Sequence, residues 1–308
     1  MLHPAQRSNL PWLAAITSML VVLVWHCLTF GMMVLRAPSD NEQILSFVAM
    51  TIRTVGEGVL VHGGLAFLVA QWRGERSEEW AFRRPLLLAG VFAGGLLVWS
   101  LLAMFLYQGL FLLMGPEQMG SWLRIWMFVL GLVIAPLQVW SSWRLALLVC
   151  REDAIATPPQ SGLRLRAAGL AAWMQAAGTV LGVSMLLPLA NAFDAYSPVV
   201  WLSSWAGALL AGALAFGGAW LALPRHLSRL RAGRLLGAGV LTFVFAYALA
   251  VGVGVAALVL ALGGQSMDQT AAIVLMVMLG VLPLLGMFGF QWLWTRVLYS
   301  KIRRALTT

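Results

Sequence analysis

Charge is what this chain has least of. Of its 308 residues, 20 are Lys or Arg and 11 are Asp or Glu, about a tenth of the whole. With 61% hydrophobic residues, that balance lies outside every soluble globular class. Lysine is scarcer still: the single Lys301 sits in the C-terminal tail, which excludes a Schiff-base pigment within the apolar part. The two cysteines, Cys27 and Cys150, fall in different apolar runs at different depths, too far apart to bridge. The four histidines show no zinc-ligand spacing, so no metal site is expected. Long polar segments are missing as well. The largest gaps between apolar runs are about 12–16 residues, too short for a catalytic or nucleic-acid-binding domain. The net charge of +9 therefore does not point to nucleic acid, and no such partner is expected.

What fills the chain is eight apolar runs: Trp12–Leu35, Ile44–Trp72, Pro85–Leu113, Trp122–Val149, Leu165–Leu187, Val199–Leu223, Leu235–Leu262 and Thr270–Leu298. A bilayer core of about 30 Å needs about 20 residues of helix, so each run is predicted to cross a membrane. The fold class expected is an all-α polytopic bundle of about eight transmembrane helices, a single membrane domain over 1–308.

The arginines fall almost entirely in every second gap. Arg7 lies on the N-terminal tail; Arg73, Arg76, Arg83 and Arg84 lie in the second gap; Arg144, Arg151, Arg164 and Arg166 bracket the fourth. Arg225, Arg229, Arg231 and Arg234 fill the sixth, and Arg296, Lys301, Arg303 and Arg304 follow the last run. The alternate gaps carry Asp40, Glu42, Glu117, Asp194 and Asp268, with Arg36 and Arg124 only at their edges. Positive residues collect on the cytoplasmic side, so both termini are expected inside. Minimal loops and a first run too long for a removable signal peptide point to a bacterial inner membrane.

Trp72, Trp143, Trp220 and Trp292 recur at spacings of about 71, 77 and 72 residues, each near the basic end of an even-numbered helix. The period fits a pseudo-repeat of halves 1–150 and 160–308, as in many transporters. An aromatic anchor and basic stop required at one interface by every second helix explains it without any duplication. Three GxxxG spacings, Gly90/Gly94, Gly178/Gly182 and Gly233/Gly237, are expected to serve packing within the chain. Pro136 and Pro283 fall inside runs four and eight, where a kink is expected.

Run two concentrates the chemistry, with Arg53, Glu57 and His62 within ten residues. A charge at bilayer depth costs about 2.5–3.5 kcal/mol on insertion scales, so it faces the bundle and has a partner. Arg53 and Glu57 are four apart and can pair on one face. His62 lies about 140° around the wheel from Glu57. On the first run, His26 matches the depth of Arg53 and Glu57, which groups those three residues near one end of the bundle. His26, Arg53, Glu57 and His62 are the substrate- or proton-binding candidates, read either as a proton relay or as a structural ion pair with a nearby histidine. Haem ligation by His26 and His62 would need matched depths on facing helices, and no cofactor is expected.

Glu78-Glu79-Trp-Ala-Phe-Arg83 resembles the EExxxR element of the CAAX-processing intramembrane proteases. That family also requires a downstream FxxxH element and a further intramembrane histidine. After Arg83 the only histidine is His226, in a basic gap, so the resemblance ends at six residues and the protease is rejected. The function expected is a permease-like inner-membrane protein that is not an enzyme. It would bind or move a small solute, ion or lipid through the bundle. The alternative is a non-catalytic subunit of a larger membrane complex, with the bilayer and other membrane subunits as partners; an intramembrane enzyme or b-haem protein is a distant third.

Overall fold

Away from water, a backbone segment must satisfy its N–H and C=O groups internally, and the apolar runs do so as helices. The computed structural model describes residues 10–34, 41–77, 79–114, 121–156, 162–190, 198–225, 227, 229–262 and 269–305. It contains α1 (Leu10–Val34), α2 (Asn41–Ser77), α3 (Pro85–Met114), α4 (Ser121–Val149), α5 (Leu163–Ala190), α6 (Pro198–Ala222), α7 (Ala232–Leu262) and α8 (Gln269–Ala305). Two short strands, β1 (Glu79–Phe82) and β2 (Ala154–Ala156), complete it. The acidic residues Asp40, Glu117, Asp194 and Asp268, and Arg7, lie outside the described residues.

Seven of the eight helices are long and apolar enough to cross a membrane. Among the described residues α5 is the exception: it opens on Arg164 and Arg166, carries Gln175, and has as many alanines as leucines. At 37 residues each, α2 and α8 extend about 55 Å, well beyond a bilayer core. Pro136 and Pro283 lie inside continuous α4 and α8.

Side-chain size runs opposite to a soluble core. The interior is lined by small residues such as Ala70, Ala146, Ala167 and Ala215, all fully buried, while Leu86 and Leu112 are 82% and 81% exposed. Small residues let helix backbones approach, and many large ones face outward, on every helix, where only lipid tolerates them. The chain is thus built as a multi-pass membrane protein.

It divides into two compact units, Met1–Pro159 with Val180–Trp205, and Gln160–Thr179 with Ala206–Thr308. In the first unit α1 packs along α2, α3 along α4, α1 against α3 and α2 against α4. The Trp12 ring meets Phe67 edge-on at 4.9 Å, Met19 covers Gly63, and Val22 covers Gly58, so α1 and α2 run antiparallel. Leu88, Phe92, Leu96 and Trp143 fill the core between α3 and α4. Strands β1 and β2 pair antiparallel, and the Arg83 N–H donates to the Asp153 carbonyl at 2.9 Å. This miniature sheet ties the connection after α2 to the one after α4, bringing two of the arginine-bearing gaps together.

In the second unit α7 packs along α8, and Ala211, Ala246 and Met287 form a small core. The α6 backbone lies against α8 at Gly218, where a Cβ would sit 2.6 Å from the Phe288 carbonyl oxygen; only glycine fits there. Gln175 Nε2 donates to the Gly239 carbonyl at 2.8 Å, and the Tyr299 hydroxyl donates to the Leu230 carbonyl.

The GxxxG spacings divide. Gly178 packs under Phe243 and Gly237 against Leu298, as expected of contacts within the chain, whereas Gly90 and Gly94 face open space. The tryptophan period also has a physical content. Arg76 stacks over Trp72, Arg164 over Trp220 and Arg296 over Trp292, at 4.5, 4.2 and 5.0 Å. In α4 the arginine sits instead over Trp140, at 5.4 Å, and Trp143 turns into the core.

Candidate functional site

The candidate site lies in the first unit, where α1 and α2 present their polar side chains. Within its membrane-crossing stretch, Thr51–Ser77, α2 places Glu57 about 9 Å and His62 about 16 Å from the Thr51 end. His26 lies about 9 Å from the end of the α1 stretch Leu10–Met32, level with Glu57 in this antiparallel pair.

Arg53 and Glu57 form the i, i+4 ion pair that their spacing predicts. Arg53 Nε donates to Glu57 Oε1 at 2.9 Å, and the two side chains are 17% and 19% exposed. Neighbouring Gly56 makes room for an indole: a Cβ there would stand 2.8 Å from the Trp205 ring, a contact within this unit.

The histidines converge on the next glycine. His26 Nδ1 lies 2.8 Å from the Val22 carbonyl oxygen, and His62 Nδ1 lies 3.0 Å from the Gly58 carbonyl oxygen. A carbonyl only accepts, so in each of these bonds the Nδ1–H donates. The His26 ring also rests on the α2 backbone at Gly58, where a Cβ would come within 3.4 Å of His26 Cε1. Gly58 therefore accepts from one histidine and admits the other. His26 is held by the Val22 carbonyl and rests on Gly58, and Glu57 is paired with Arg53.

His62 leads on to α4 and α3. The Gln138 side chain of α4 faces its ring. Gln138 Nε2 donates to the Leu96 carbonyl and to Ser100 Oγ, both at 3.1 Å, and Ser100 Oγ–H donates to the same carbonyl at 3.0 Å. The amide N–H groups of Gln138 are thereby spent, which leaves its Oε1 for His62. A neutral imidazole donates from one ring nitrogen at a time and a protonated one from both, so a histidine beside such acceptors can take up and pass on a proton.

Sequence reasoning missed Gln138 and Ser100. Their signal was available only in part: Gln138 is an amide deep within an apolar run, two residues after Pro136. Its pairing with His62 depends on which faces of α2 and α4 meet. Among the described residues no group of three or more His, Cys, Asp or Glu could hold a metal ion. The protease-like segment is not helical: Glu79 opens strand β1, while Glu78 and His226 lie outside the described residues. No known family, curated protein or solved structure matches this chain.

Proposed function

We propose that this is a permease-like protein of a bacterial inner membrane, not an enzyme, that binds or moves a small solute or ion through the first unit with proton transfer at the histidine pair. The observation that supports this reading is the gathering of His26, His62, Gln138 and Ser100 from α1, α2, α4 and α3 within one lipid-facing unit, the two histidines at Gly58 and the amide on Ser100. Unpaired polar groups at that depth are costly, so a set of them across four helices marks a solute or proton path by default. Arg53 and Glu57 stand nearer one end of α2. Eight crossings would place both termini on the cytoplasmic side, with the arginine-bearing gaps.

The experiment is proton flux. The purified full chain is reconstituted into vesicles loaded with a pH-sensitive dye, and a potassium diffusion potential is applied. Wild-type protein is expected to acidify or alkalinise the lumen faster than empty vesicles, and His62→Ala to return the rate to background while remaining folded. Equal rates for wild type and His62→Ala would remove the proton role from the histidine.

A second reading, the subunit of a larger membrane complex, is favoured by one observation. Gly90 and Gly94 present a GxxxG face on α3 with nothing packed on it among the described residues, a surface on which a partner helix could approach closely. Gly94→Leu should abolish co-purification of a partner under that reading, and leave vesicle flux untouched under the first.

A further inference from the structure

At the other end of α2, about 24 Å along the helix from Glu57, the first unit holds a cavity of about 430 Å³. Four arginines line it: Arg73 and Arg76 from the last turns of α2, Arg144 from α4, and Arg151 just after it. No carboxylate lines it, and among the described residues none of the four is held in an ion pair. Of the acids close in sequence, Glu75 accepts from Gln71 Nε2 at 3.2 Å and Asp153 faces Arg84 at 3.9 Å. Two of the arginines are positioned by stacking, Arg76 over Trp72 and Arg144 over Trp140. Stacking orients a guanidinium plane while leaving its N–H edge available.

Arginines at helix ends are expected as topological anchors, and anchoring alone would account for their number. It does not account for their convergence on one concavity from two gaps pinned together by β1 and β2. Nor does it account for Trp143. This ring lines the cavity and is only 3% exposed, yet its buried indole N–H finds no acceptor among the described residues. A buried donor without a partner costs free energy and calls for an acceptor from elsewhere. The apolar wall continues outward: Leu148 lines the cavity and is 64% exposed, next to the equally lipid-facing Val149.

We propose that this cavity binds the phosphate of an anionic phospholipid headgroup. The four guanidiniums would hold phosphate oxygens, the Trp143 N–H would donate to a further headgroup oxygen, and the acyl chains would run out past Leu148 along α4. Guanidinium forks suit phosphate in geometry and charge, and basic pockets between membrane helices take such headgroups. A free phosphate would meet the same arginines but leave the tryptophan and leucine walls without an occupant.

The test uses the full chain in detergent, read by native mass spectrometry and by Tm. Phosphatidylglycerol and phosphatidylcholine are titrated in parallel, with inorganic phosphate as a separate arm. Wild type is expected to retain phosphatidylglycerol in preference to phosphatidylcholine, with a matching rise in Tm. Arg73→Gln/Arg144→Gln should weaken phosphatidylglycerol binding about thirtyfold, from the typical gain per arginine at an anionic surface. Arg83→Gln/Arg225→Gln, which removes the same charge outside the cavity, should change it little. Ala154→Phe fills the cavity without touching any charge and should also abolish the preference, which covers the case in which the double arginine variant fails to fold. Equal losses in the two double variants, or an unchanged preference in Ala154→Phe, would overturn the proposal. So would stabilisation by inorganic phosphate alone with none from phosphatidylglycerol, an outcome that assigns the arginines to a soluble anion.

Discussion

The Arg53–Glu57 pair offers the most quantitative test of the first unit. At 2.9 Å and an effective dielectric constant near 20, the direct attraction is about 6 kcal/mol. Desolvation of both groups offsets most of it, which is why replacing a buried pair with apolar residues of similar size is close to neutral. Removing one member alone is different, because the survivor keeps its desolvation cost and loses its partner. With less than a fifth of either side chain exposed, Arg53→Met and Glu57→Leu should each destabilise by about 3 kcal/mol, the lower part of the buried-pair range. Additivity would then give about 6 kcal/mol for the double variant, whereas loss of the pair as a unit gives about 1 kcal/mol. The assay is reversible unfolding in mixed micelles, with all four proteins measured in the same detergent. Single variants within about 0.5 kcal/mol of wild type would show a surface-like pair and refute the buried one. A double variant near the additive sum would refute the coupling. Glu57→Gln then separates folding from function: if the carboxylate takes part in transport, this variant folds and shows no flux.

In the second unit, Gly218→Ala places a methyl 2.6 Å from the Phe288 carbonyl oxygen and should cost about 1–3 kcal/mol by overpacking, read as a lowered Tm. Gly94→Ala meets nothing within 4 Å and should be neutral or slightly stabilising in the same assay, through helix propensity. Burial pushes the Cys150 thiol up, and repulsion from Asp153 adds to this while Arg84 opposes it. The fold thus holds the neutral thiol: its contribution is complete below the ordinary thiol pKa of about 8.5 and is lost as pH rises through the raised folded value. Tm should therefore fall more steeply in alkali for wild type than for Cys150→Ala, and equal slopes would contradict it. For topology, Ser77→Cys and Ser121→Cys should label from opposite faces of sealed vesicles; labelling of both from one face would reject the proposed orientation.

The helices were legible because hydropathy sums over about twenty residues, so no tertiary information is needed to find them. The run Pro85–Leu113 became α3, Pro85–Met114, and Trp122–Val149 became α4, Ser121–Val149. The Arg53–Glu57 pair was legible for a similar reason, since its geometry is local to one helix. What was hidden depends on which helix faces meet. His62 sits well around the wheel from Glu57, and the structure uses that face to reach Gln138. The arginine cavity was hidden behind the same rule that revealed the topology: its residues read as anchors in separate gaps until β1 and β2 bring those gaps together. The strands carry no alternating pattern of their own, and their pairing with each other is long-range.

The central claim is that water or solute reaches the polar face of α2 from outside the bundle. Val61 lies one turn beyond Glu57 on that face and is half-buried, whereas Ile52 is 51% exposed on the apolar outside. The deciding measurement is the labelling rate of Val61→Cys and Ile52→Cys, in a Cys27→Ser background, with a charged, membrane-impermeant thiol reagent. A polar path through the first unit predicts that Val61→Cys reacts readily and is protected by substitution of His62 with a bulky apolar residue, while lipid shields Ile52→Cys. No reaction at Val61→Cys in the folded protein would mean that the pair and the histidines are sealed packing, and would contradict the permease reading.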